Sequence, residues 1–277
     1  MCEVTTALPS ESEDGRPVIV AVCGKGGAGK TSVSAAVVRA LLQDPAHRVL
    51  AIDADPAAGL ASALGVEVTR TVDDVRSDLI RQVESGSGGD TKEMLSKLDY
   101  QVFEAISERG NLAFLAIGRP EKEGCYCQVN DLLRDIIATL AESFDAVVID
   151  GEAGVEQINR RVMERVTHLL AVSDASARGI TVAKAIRDVA QSAVRYERAG
   201  LVLNRIRGEE ELSKLPIPEE LECLGWLPED EAVRKAGLEG GCLLDLPEGG
   251  FVDAVSGCLS RFGIHTATPA AAPEPTS

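Results

Sequence analysis

Residues Val18 to Ser32 read VIVAVCGKGGAGKTS. Val18, Ile19, Val20, Ala21 and Val22 form a short run of small and β-branched apolar residues, the pattern of a strand covered on both faces. The run ends in glycines, and after Lys30 and Thr31 apolar residues recur at helical spacing through Val33, Val37, Val38, Leu41 and Leu42. The stretch therefore predicts strand, loop and helix. Gly24, Gly29, Lys30 and Thr31 fit the spacing GxxxxGK[ST], a phosphate-binding loop. In such a loop the backbone from Gly24 through Gly26, Gly27, Ala28 and Gly29 to Ser32 turns N–H groups toward phosphate oxygens. The Lys30 ammonium neutralises charge on the β- and γ-phosphates, and the Thr31 hydroxyl ligates Mg2+.

Outward from this loop the same alternation repeats. Further strands are predicted at Arg48 to Asp55 (RVLAIDAD), Asn111 to Ile117, Ala146 to Asp150 (AVVID), His168 to Ser173 and Gly200 to Ile206 (GLVLNRI), with a short strand and turn in Leu221 to Asp230. Between them lie helical patterns at Leu60 to Leu64, Met94 to Ile106, Leu132 to Leu140 with Asn130 as N-cap, Val155 to Val166, Ala175 to Val194, and Phe251 to Phe262. Strand-then-helix repeats predict an α/β fold, a mostly parallel sheet with helices on both faces and right-handed crossovers. With the phosphate loop this is the architecture of a P-loop NTPase, whose ligands collect at the carboxyl edge of the sheet. Asp53, Asp55 and Asp150 stand at that edge. Asp150, closing an apolar strand, fits the Walker B place and holds Mg2+ through water, as phosphoryl transfer to water requires.

With 277 residues, 45% of them hydrophobic, the chain suits one large α/β domain. That domain is expected over residues 17–264, between a polar, acidic N-terminal arm (1–16) and a Pro/Ala-rich tail (265–277), both expected to be disordered. The formal charge of −16 repels phosphate backbones and anionic lipid, so neither nucleic acid nor membrane is expected as a partner. No charged-then-apolar leader and no apolar run near 18 residues is present, which leads to the expectation of a cytoplasmic protein. The seven cysteines are expected as reduced thiols. Cys23, Cys223 and Cys258 fall in apolar patterns and read as core packing. Cys125 and Cys127 differ, because a CxC on a loop turns two thiolates to one side. Two ligands do not complete a tetrahedral site, but a two-fold dimer supplies four, suited to Zn2+, Ni2+ or an iron–sulfur cluster.

The second lysine of the loop, Lys25, gives it the form GKGGxGKT, which resembles the deviant Walker A of the MinD/ParA/nitrogenase iron protein class. The resemblance implies an ATP-dependent homodimer in which Lys25 reaches the partner's nucleotide. It implies that Asp150 to Gly154 (DxxxG) is switch II, with the Gly154 amide sensing the γ-phosphate. Asp53 and Asp55 become the switch I pair, Asp53 near the metal and Asp55, just before Pro56, orienting the attacking water. Asn204, followed by Arg205, resembles the asparagine that contacts adenine in this class, and Pro228, Glu229 and Asp230 resemble the segment that closes over the purine, so ATP is expected over GTP.

Three further stretches, CYCQVNDLLRDII (Cys125 to Ile137), DGEAGVEQINRRV (Asp150 to Val162) and SDASARGI (Ser173 to Ile180), resemble the CooC-type ATPases. That resemblance implies ATP hydrolysis driving a dimer cycle that delivers nickel to an apo nickel enzyme, carbon monoxide dehydrogenase or acetyl-CoA synthase, with the CxC pairs holding metal at the interface. Two other classes stay open. One is an electron donor like nitrogenase iron protein, with a [4Fe–4S] cluster on the same thiolates. The other is a positioning ATPase of the MinD/ParA kind, which the acidic charge and a closing helix with Arg261 as its one cation oppose.

Overall fold

Strands that are apolar along their whole length need cover on both faces, and the computed structural model supplies it. It describes residues 16–55, 59–85, 91–119, 127–151, 156–247 and 249–266. In chain order the elements are β1 (Val18–Gly24), α1 (Lys30–Leu41), β2 (Val49–Asp53), α2 (Gly59–Leu64), α3 (Val72–Glu84), α4 (Thr91–Glu104), β3 (Ser107–Arg109), β4 (Leu112–Ala116), α5 (Cys127–Ala141) and β5 (Ala146–Asp150). They continue with α6 (Glu156–Arg161), β6 (His168–Ser173), α7 (Ala177–Ala193), β7 (Arg198–Ile206), α8 (Glu209–Leu212), β8 (Cys223–Pro228), α9 (Glu231–Glu239), a 3-10 turn (Leu243–Asp245) and α10 (Gly250–Arg261). The eight described strands form one sheet in the order β3-β4-β2-β5-β1-β6-β7-β8. Every pairing is parallel except β3 with β4, so the expected mostly parallel sheet is found.

Alternate residues of each strand feed two different cores. Val20, Val22, Val49, Ala51 and Val148 face α1, α2 and α10, where Val37, Leu60, Phe251 and Leu259 pack. Ala21, Cys23, Leu50, Ile52, Val147 and Ile149 face α3 to α7, meeting Val75, Leu98, Ile137, Ile158 and Ile186. β2, β4 and β5 are buried at every residue. Each fully buried Leu or Ile in these layers contributes about 1.5–3 kcal/mol, and a charge placed at Val148 would meet apolar side chains with no partner for it.

Several local expectations are corrected. Asn130 is not a cap: α5 begins three residues earlier, and the Asn130 side chain accepts a hydrogen bond from Arg76 Nε at 2.9 Å. The helix expected over Val155 to Val166 is described only over Glu156–Arg161, beyond which Val162, Met163 and Val166 remain buried. Cys223 is exposed rather than packed, while Cys23 and Cys258 are buried as expected. α3, α9 and the antiparallel edge strand β3 were not expected. α3 did carry a start signal: Thr71 Oγ1 accepts from Asp74 N at 3.2 Å and Asp74 Oδ2 accepts from Thr71 N at 2.8 Å, a capping box closed by aspartate. The terminal arm and tail lie outside the described residues, apart from Arg16, His265 and Thr266.

Candidate functional site

β1 ends at Gly24 against β6, and the loop to α1 closes with Ala28 N donating to Lys25 O at 3.1 Å. A side chain is excluded at Gly24, since a Cβ there would lie 2.2 Å from Val172 O. Gly29 caps α1 in the left-handed region, φ 89°, with no side-chain cap. A Cβ on it would lie 2.3 Å from Asn204 Nδ2, so conformation and space both demand glycine. The first N–H groups of α1 are thereby left facing the loop, the arrangement that receives phosphate. Lys30 opens α1 and is buried, 9% exposed.

β2 and β5 are in register, so Asp53 and Asp150 stand side by side, each 1% exposed. Thr31 Oγ1 donates to Asp150 Oδ2 at 2.7 Å, and Ser34 Oγ donates to Oδ1 at 2.9 Å. Ser34 went unread in the sequence, although three residues on from Thr31 places both hydroxyls on one helix face. Asp53 accepts from Asp55 N at 3.1 Å and from Leu60 N at 2.9 Å, tying the chain after β2 to the start of α2. Burial first, then the charge of Asp150, push Asp53 up to about 7. Burial pushes Asp150 up to about 6, against the hydroxyls of Thr31 and Ser34 and the charge of Lys30. Two buried carboxylates that disfavour their own ionisation, beside a threonine hydroxyl, fit a divalent cation, which would relieve that repulsion.

Beyond the carboxylates lies a cavity of about 450 Å³ that brings together Ser32, Asn204, Arg205, Pro228, Glu229 and Asp230, with Val233 and Arg234 of α9 added by the structure. Asn204 Nδ2 donates to Ala28 O at 2.9 Å and its Oδ1 accepts from Arg205 N at 2.9 Å. These bonds engage one N–H donor and the carbonyl oxygen of the amide. Arg205 sits at φ 61° and donates from Nη1 to Gly27 O at 3.1 Å, bracing the loop from β7. Asp230 caps α9, its Oδ1 accepting from Ala232 N at 2.8 Å and Val233 N at 3.0 Å. Glu229 pairs with Arg207 at 3.2 Å. A larger cavity of about 1060 Å³, lined by Val18, Ile19, Arg134, His168 and Phe262, lies at the amino edge of the sheet and contains none of the expected site residues.

Lys25 is not among the residues lining the cavity, and its Nζ donates to Asp174, just after β6, at 2.9 Å. Gly154 and Cys125 lie outside the described residues, as does the side chain of Cys127, whose backbone opens α5. Among the described residues no group of three or more His, Cys, Asp or Glu is arranged to hold a metal ion. No described helix is long and apolar enough to cross a membrane.

Among curated proteins, the chain is 39% identical over 237 residues to an uncharacterized ATP-binding protein of Methanocaldococcus jannaschii, covering 83% of this chain and 92% of that one. It is 28% identical over 237 residues to the carbon monoxide dehydrogenase accessory protein CooC of Rhodospirillum rubrum, covering 82% and 89%. Among solved structures, the cell division ATPase MinD of Pyrococcus furiosus matches with TM-score 0.60 and 25% identity, covering 88% and 98%. The ATP complex of a Cyanothece McdA variant matches with TM-score 0.67 and 18% identity over 91% and 99%, which speaks for the fold. The CobQ/CobB/MinD/ParA nucleotide-binding domain matches residues 19–243, spanning the phosphate loop, both buried aspartates and the Asn204 cavity. The chain belongs to the CobQ/CobB/MinD/ParA nucleotide-binding family.

Proposed function

We propose that the protein is an ATP-dependent, dimeric metallochaperone that hydrolyses ATP to drive nickel into an apo nickel enzyme such as carbon monoxide dehydrogenase or acetyl-CoA synthase. The observation that carries the proposal is the convergence of the phosphate loop, Asp53, Asp150 and Asn204 on one edge of the sheet, in a chain whose sequence also holds the CxC of Cys125 and Cys127. The likeness to CooC of Rhodospirillum rubrum supports the choice of client.

In this reading the loop amides from Gly24 to Thr31 and the buried Lys30 ammonium hold the β- and γ-phosphates. Thr31, Asp53 and Asp150 would hold Mg2+, which would supply positive charge against the phosphoryl group being transferred. Asp55 orients the attacking water, and Lys25 of each chain reaches the partner's nucleotide. Asn204 and the segment Pro228 to Asp230 enclose adenine. The four thiolates of two CxC pairs take Ni2+ or Zn2+ as cargo at the dimer axis.

The test is metal content and mass, with and without a non-hydrolysable ATP analogue, for the wild type and for Cys125→Ser/Cys127→Ser. The expected result is about one metal per dimer in the wild type and none in the double variant; equal metal content in both overturns the interface site. A brown protein absorbing near about 400 nm instead assigns the thiolates to an iron–sulfur cluster and electron transfer.

A further inference from the structure

Lys25 is held by a small hydrogen-bonded assembly built on a neighbouring strand end. Its Nζ lies 2.9 Å from Asp174 Oδ2, with both side chains 30% exposed. Asp174 follows the last residue of β6, and its other oxygen, Oδ1, accepts a hydrogen bond from Ser176 Oγ. Ser176 is in turn the N-cap of α7, accepting from Gly179 N at 3.0 Å, and its own N–H donates to Asp174 O at 2.8 Å. Gly179 is needed for this closeness: a Cβ there would lie 2.4 Å from both Asp174 Oδ1 and Ser173 Oγ. The carboxylate is therefore fixed by the start of α7 and not by the lysine. Although burial pushes Asp174 up, the Ser176 hydroxyl and the Lys25 ammonium together hold it below the ordinary carboxylate range.

The geometry points to Asp174, fixed by Ser176, as a positioning residue that seats Lys25 within its own chain and must release it before the lysine can serve a partner's nucleotide. This rests on the reading of Lys25 as a residue that acts across a dimer interface. A lysine carries one compact charge on one flexible stem, so an ammonium paired in cis is withdrawn from any contact in trans. The seat sets a threshold. Only when nucleotide and partner together outcompete Asp174 does Lys25 exchange, and a single chain is kept from presenting it. For a part-exposed ion pair the expected cost is about two- to fivefold per seat, and on the order of tenfold for the two seats of a dimer.

The test is sedimentation across a protein dilution series with Mg2+ and a non-hydrolysable ATP analogue, for the wild type, Asp174→Asn, Asp174→Ala and Lys25→Ala. Asparagine keeps the shape and can still accept from Ser176, so the fold is retained, and alanine leaves Ser176 free to cap α7. Both Asp174 variants are expected to reach half-dimer at a protein concentration on the order of tenfold lower than the wild type. Damage to the fold alone would not strengthen association. A half-dimer point that is unchanged or higher in the Asp174 variants overturns the seat. Lys25→Ala reports on the underlying reading separately: unaltered dimerisation and hydrolysis there removes the lysine's role in trans, whatever Asp174 does.

Discussion

Asp150 and Asp53 occupy adjacent strands in register, each 1% exposed, and their surroundings differ in one respect that decides how each tolerates change. The partners of Asp150 are the hydroxyls of Thr31 and Ser34, which can rotate to accept as well as donate. The partners of Asp53 are two backbone N–H groups, from Asp55 and Leu60, which can only donate. Asp150→Asn is therefore expected to fold well and Asp53→Asn to lose stability, because the new amide N–H would face a fixed donor. The pH dependence has a definite sign. Below about pH 4 the folded and unfolded chains both hold the Asp150 proton, and the group costs nothing. As pH rises to about 6, the folded-state value, only the unfolded chain ionises freely, so the Mg2+-free protein loses stability through this window and the penalty is full above it. That loss is on the order of 3 kcal/mol. In thermal melts without nucleotide or Mg2+, Asp150→Asn is expected to melt higher than the wild type at pH 7 and to show a shallower decline between about pH 4 and 6. In the same variant, Mg2+ is expected no longer to tighten nucleotide binding, and a variant that melts lower at pH 7 would contradict the buried, self-disfavouring carboxylate.

α9 shows how an element with almost no apolar face still becomes part of a site. Of its nine residues only Ala236 is buried, and Leu238 is 74% exposed, so hydrophobic periodicity could not reveal it. What holds it is its ends: Asp230 accepts two N–H groups of its first turn, and Gly240 closes it in the left-handed region at φ 70°. The family resemblance implies that the segment Pro228 to Asp230 covers the purine, and the structure gives Asp230 the task of capping α9. Asp230→Ala is expected to cost about 1 kcal/mol in chemical unfolding. Because Val233 and Arg234 of α9 line the 450 Å³ cavity, the same change is expected to weaken nucleotide binding several-fold without altering the phosphate loop. Unchanged affinity in a calorimetric titration would separate α9 from the nucleotide. α5 carries a matching lesson: its start was misplaced because Asn130 resembles a cap, whereas a buried Arg76 from α3 claims that side chain.

The whole molecule carries a formal charge of −16, so association of two copies is opposed by long-range repulsion even where the contacts themselves are favourable. Raising NaCl from about 20 to 150 mM shortens the screening length to about 8 Å and is expected to lower the half-dimer concentration in the presence of nucleotide; a rise would mean that local pairs such as Lys25 with phosphate dominate. The sequence by itself determined the phosphate loop, the strands of the parallel part of the sheet and its mostly parallel character. Buried parallel strands read as unbroken apolar runs, and the glycine spacing of a phosphate cradle is local, so neither depends on distant residues. It also placed Asp53, Asp150 and Asn204 at strand ends. Only the tertiary structure decided which of those ends meet. Strand order sets Asp53 beside Asp150 and brings Asp174 to Lys25 across 149 residues of chain. It also turns the short edge strand β3 antiparallel and lays α3 against α5. Those choices come from how crossovers pack onto a twisted sheet, a balance of burial on two faces that no local pattern encodes.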